Sequence, residues 1–99
     1  MVKLTVLYGA PTDTSAFDSH YADVHAPLAQ KLPGLQRFEW GKPSTLDGTP
    51  SPYYLMAELW FDDMAAFGAA MGSPEGQETA ADVEKFASGG ATLLLTELA

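Results

Sequence analysis

Cysteine is absent from this 99-residue chain, and so are isoleucine and asparagine. Without a thiol there is no disulfide scaffold, no thiolate metal site, no cysteine nucleophile and no thiol redox chemistry. The missing isoleucine and asparagine read as compositional bias and carry no mechanism. Positive charge is scarce too. Five Lys and Arg residues face thirteen Asp and Glu, for a formal net charge of −8. A surface of that sign repels phosphate backbones and anionic lipid, so neither a nucleic-acid nor a membrane partner is expected. No apolar run approaches the roughly 20 residues of a membrane span. The opening residues Met1 to Tyr8 lack the charge and cleavage pattern of a signal peptide. The expectation is a soluble, cytoplasmic protein. Gly68, Gly72 and Gly76 match neither dinucleotide nor P-loop spacing, and no Gly-x-Ser-x-Gly elbow is present. No cofactor is expected.

What is present suits one globular domain over residues 1–99. The composition is 46% hydrophobic and 18% charged. A chain of this size buries about 64% of its extended surface on folding. Val2, Leu4, Val6 and Tyr8 alternate with Lys3, Thr5 and Leu7, which predicts a strand ended by Gly9-Ala10-Pro11. Asp13, Thr14 and Ser15 are all suitable N-caps, and Ser15 with Asp18 spells a weak capping box. Phe17, Tyr21, Val24, Leu28 and Leu32 then form a helical stripe. Pro27 predicts a kink or break, with a short helix restarting there. Leu35 to Lys42 reads as a second strand, and Lys42 to Pro52 as a mobile loop whose one apolar residue is Leu46. Tyr53 to Phe61 is the strongest strand pattern. Asp62 or Asp63 caps a helix through Met71. Ser73-Pro74-Glu75 starts another. Ala91 to Leu98 is a last strand.

The order is β-α-β-β-α-β. This is an α+β chain with a ferredoxin-like protomer, an antiparallel four-stranded sheet with helices on one face. Such a sheet should alternate cleanly between apolar and polar faces. The third strand does not. It sets Tyr54, Met56, Glu58 and Trp60 against Tyr53, Leu55, Ala57, Leu59 and Phe61. The last strand has Leu94 and Leu98 opposite Leu93 and Leu95. Helices cover one face only, so the second apolar face predicts a homodimer through the β-sheet.

The segments Val2 to Gly9, Phe17 through Tyr21-Ala22-Asp23-Val24-His25-Ala26-Pro27-Leu28, Leu32-Pro33-Gly34-Leu35 and Ser73-Pro74-Glu75-Gly76 resemble the EthD family of the dimeric α+β barrel superfamily. His-x-Pro-Leu followed by Leu-Pro-Gly is the most specific part, and the likeness spans nearly the whole chain. The resemblance implies a dimeric barrel around a cavity. It places the chain among proteins associated with bacterial degradation of ethyl tert-butyl ether beside an oxygenase. Superfamily relatives include cofactor-free monooxygenases, cyclases and isomerases, as well as haem-binding enzymes. The fold follows from the resemblance more firmly than any reaction does.

The candidate catalytic residues are His25 and Tyr21. The resemblance places His25 on the cavity side, and an imidazole serves as acid, base or ligand near neutral pH. Tyr21 lies four residues earlier on the same helix, within touching distance. The other reading has His25 satisfying a loose carbonyl at the proline break. His25 falls at the edge of the apolar stripe, where half-burial is expected. His20 and His25 are five apart and point roughly 140° away from each other on a regular helix, so no shared metal site is expected. Tyr54, Met56, Glu58 and Trp60 are candidate ligand-binding residues. Glu58 on an apolar face needs a partner or a function, and Arg37 is its expected ion-pair partner. Two readings stay open: a small cofactor-free enzyme, acting on a hydrophobic metabolite as monooxygenase, cyclase or isomerase with a His acid/base, and a non-catalytic binding, delivery or structural homodimer.

Overall fold

Alternating burial fixes the two central strands in a computed structural model that covers residues 1–99. In β1 (Val2–Tyr8) and β3 (Leu55–Phe61) every second residue is buried. The two strands pair antiparallel, with Val2 opposite Phe61 and Tyr8 opposite Leu55, so their buried residues share one face. β2 (Arg37–Gly41) lies outside β3, and β4 (Ala91–Glu97) lies outside β1. The sheet order is β2-β3-β1-β4, antiparallel throughout. The helices pack on the buried face, which gives the expected ferredoxin-like architecture.

The first helical segment departs from expectation. It does not break at Pro27. α1 (Thr14–His20) runs into a π-helical turn over Tyr21–His25 and then into α2 (Ala26–Gln30), with helical dihedrals at both junctions. The Ala26 N–H donates to the Tyr21 carbonyl five residues back. Pro27 then sits in the first turn of α2, just past the wide turn, where its fixed φ suits the helix. The wide turn acts as a one-residue insertion in the helical register. The buried stripe therefore runs Phe17, Tyr21, His25, Ala29 and Leu32, while Val24 is exposed. Asp13 is the N-cap and accepts from the Ala16 N–H. The Ser15–Asp18 box does not form, because Asp18 is turned to Tyr54 and Lys42.

Asp63 caps α3 (Met64–Gly72), and Ser73 caps α4 (Pro74–Asp82). α4 crosses close to the end of α3. A Cβ added to Gly76 would collide with the carbonyls of Ala70 and Met71, so only glycine allows this approach. Gly76, Thr79 and Asp82 are the buried residues of α4. A 3₁₀ turn over Val83–Lys85 leads to the buried Phe86.

The remaining sheet face carries Lys3, Thr5, Leu7, Met56, Glu58 and Trp60, with Arg37, Glu39 and Leu94 alongside. Glu58 pairs with Lys3 at 2.8 Å, not with Arg37 as expected. Arg37 bonds Glu39 at 2.7 Å and lies over the Trp60 ring, directly opposite it in the ladder. No part of β4 is buried on either face.

Candidate functional site

Between the sheet and the helices lies a mostly apolar cavity of about 90 Å³. Val6, Leu59 and Ala57 form its floor, and His25, Tyr21 and Thr79 are among the walls. Leu93 lines the cavity and is also 60% exposed, so the cavity opens beside β4.

His25 is 5% exposed, deeper than its expected edge position, because the π turn rotates it inward. Its Nδ1 lies 3.0 Å from Oδ2 of Asp82. His20 reaches the same carboxylate, with Nε2 at 2.9 Å from Oδ1 and 3.0 Å from Oδ2. On a regular helix the two imidazoles would diverge. The five-residue hydrogen bond of the π turn stacks them on one face. Asp82 is 3% exposed. Burial pushes its carboxyl up, but the hydrogen bonds from His20 and His25 together outweigh this and hold it below the usual range. Asp82 is therefore an anion at neutral pH, and both ring nitrogens facing it donate. Burial lowers the proton affinity of His25, and the attraction of Asp82 only partly offsets that. His25 is thus a neutral imidazole with Nδ1–H fixed on Asp82 and a lone pair on Nε2. That nitrogen has no protein partner, and no fully shielded polar side-chain atom is left unpaired, so a small molecule can reach it.

Two phenols complete the site. Tyr8 and Tyr21 line the cavity edge-on to each other, their ring centroids 5.7 Å apart. The His25 ring sits 5.1 Å from Tyr21. Burial is the main cause that raises both phenols above their ordinary range, so both stay protonated, and Tyr21 donates to the Tyr8 hydroxyl.

The EthD domain model matches residues 10–90. The chain belongs to the EthD family. An uncharacterised 11.0 kDa protein from the thcB–thcC intergenic region of Rhodococcus erythropolis is 48% identical over 97 residues, 98% of this chain and 94% of its own. An EthD family crystal structure from Bacillus halodurans is 40% identical with a TM-score of 0.92, covering 100% of this chain and 99% of that one. At lower identity the fold alone is shared. SnoaB of Streptomyces nogalater, a cofactor-independent oxygenase, superposes with a TM-score of 0.70 at 18% identity, over 98% and 91% of the two chains. A dimeric ferredoxin-like protein from Thermobifida fusca does so at 0.76 and 15%, over 98% and 90%.

In this EthD protein the structure brings His25 and Tyr21 together as the sequence suggested. It does not bring the other candidates to them. Met56, Glu58 and Trp60 lie on the opposite face of the sheet, because strand residues of that parity point away from the helices. Tyr54 precedes β3 and turns to the helices, where its hydroxyl donates to Asp18 at 2.8 Å and accepts from Lys42 at 2.9 Å, outside the cavity. Sequence reasoning missed Tyr8, Asp82 and the role of His20. Gly76, Thr79 and Asp82 at three-residue steps, with an acid closing an otherwise small and apolar stripe, was the signal for Asp82.

Proposed function

We propose that this EthD protein binds a small hydrophobic carbonyl or phenolic compound in the cavity and moves a proton on it without a cofactor. The observation that carries the reading is the His25 ring, clamped by a buried carboxylate through Nδ1 and presenting Nε2 to an apolar cavity beside two protonated phenols. Nε2 takes a proton from a carbon next to the carbonyl. The electron pair moves to the oxygen as an enolate, and the Tyr8 hydroxyl, itself accepting from Tyr21, donates to that oxygen. Returning the proton from Nε2 to another carbon completes an isomerisation. Attack of the enolate carbon on a second carbonyl of the same ligand opens that C=O π bond to an alkoxide, which takes the proton back from Nε2 and completes a cyclisation. The fold neighbour SnoaB supports chemistry without a cofactor in such a scaffold. A cavity of roughly 150 Å³ accepts a benzene ring, so an aromatic ligand displaces the open wall at Leu93 and Val83. The working unit is a homodimer, its partner covering the sheet face that the helices leave bare.

The test is proton exchange in deuterated buffer, followed by NMR, on ketones graded from acetylacetone to 2-indanone. The wild-type protein accelerates exchange, and His25→Gln loses about 10²- to 10⁴-fold. Equal exchange by His25→Gln rejects the base. Saturable binding without exchange makes the protein a carrier.

A further inference from the structure

Asp82 serves two imidazoles, and only one of them meets the cavity. The His20 side chain is 25% exposed, stacks on Phe86 at 5.3 Å between ring centroids, and lines a surface groove with Asp13, Glu84 and Lys85. Its Nε2 spans both carboxylate oxygens, whereas His25 holds one. Removing His20 would leave Oδ1 of a buried anion without a donor and the carboxylate free to turn about its last bond. The titratable groups facing His25 are Tyr21 and His20 from its own helix and Asp82 from α4, with Tyr8 of β1 lining the same cavity.

We propose that His20 is a positioning residue for the cavity base: through the carboxylate of Asp82, which it holds by both oxygens, it keeps His25 in the Nδ1–H tautomer and so leaves the Nε2 lone pair free. This deepens the proton-transfer reading and rests on it for its purpose, though not for its measurement. His20 does not touch the ligand.

The experiment is ¹⁵N NMR of the histidine rings of the full chain, without ligand, from pH 4 to 9. The wild-type spectrum should show His25 as the Nδ1–H tautomer at neutral pH. His20→Phe keeps a ring on Phe86 but removes the donor. The midpoint of His25 should then rise by about one pH unit, a tenfold gain in proton affinity, with both tautomers populated. His20→Gln, which still donates to Asp82, should return most of the single-tautomer signal. Unchanged His25 tautomer and midpoint in His20→Phe would overturn the proposal. So would mixed His25 tautomers in the wild-type protein at neutral pH, which decide the matter even if His20→Phe does not fold. Coupled rings together with full exchange activity in His25→Gln would instead retain the coupling and reject the proton-transfer reading.

Discussion

A buried carboxylate between two imidazoles makes folding sensitive to acid. His25 binds its proton more weakly in the folded chain than its ordinary value near 6.5. Asp82 is likewise held below its ordinary value of 3.8. In both cases the unfolded chain binds more protons as pH falls, so stability rises with pH through each window. The melting temperature should therefore be flat above about pH 7, fall as pH drops below about 6.5, and fall again below about 4. Thermal melts followed by circular dichroism test this, and a melting temperature that climbs on acidification rejects it. His25→Phe should flatten the first limb and leave the second. Asp82→Asn should cost about 2 kcal/mol at neutral pH, since an amide cannot accept fully from both rings and buries an unpaired N–H₂.

Elements differ in how openly the sequence declares them. Strand faces were legible because period-two alternation survives any end effect. Val2, Leu4, Val6 and Tyr8 are buried as their parity requires. The stripe of the first helix was legible at Phe17, Tyr21 and Leu32 but not between them. Beyond Tyr21, a reading at a constant angle per residue placed Val24 inside, and the π turn put His25 there instead. Pro27 announced an irregularity, but proline alone does not say whether the helix breaks or widens. Asp82 stood 57 residues from His25, beyond the reach of any local pattern. What brings it home is the close seating of α4 on α3, and that seating gives a paired prediction. Gly76→Ala forces a methyl group against two backbone carbonyls and should cost about 1–3 kcal/mol. Gly68→Ala, in open space within α3, should add about 0.4–1 kcal/mol. Denaturant melts separate the two, and equal effects would show that the glycine at 76 is not what sets the helix spacing.

At the scale of the whole molecule, the chain leaves more apolar surface bare than one protomer needs. Leu93 and Leu95 stand on the helix side of β4, yet no helix reaches them, and Leu94 stands on the other side. Leu94 is 52% exposed and Leu98 is 39% exposed. On the bare face, finishing the burial of Leu94 and Leu98 would contribute on the order of 2 kcal/mol. β4 is also an unpaired sheet edge, which invites association if left open. Sheet-to-sheet pairing with a second copy removes the bare face and extends the wall beside the cavity mouth at Leu93. Light scattering at micromolar concentration should then give twice the 10.6 kDa protomer mass. Leu94→Glu sets a charge on that face, opposite Thr5, and should weaken the dimer by about 100-fold or more, equivalent to roughly 3 kcal/mol. Leu46→Glu alters a leucine that is fully exposed on the loop after β2 and should leave the mass unchanged. A wild-type protein that stays monomeric at this concentration, or a Leu94→Glu variant that stays dimeric, would move the interface off this face. The leucines of β4 would then need another cover.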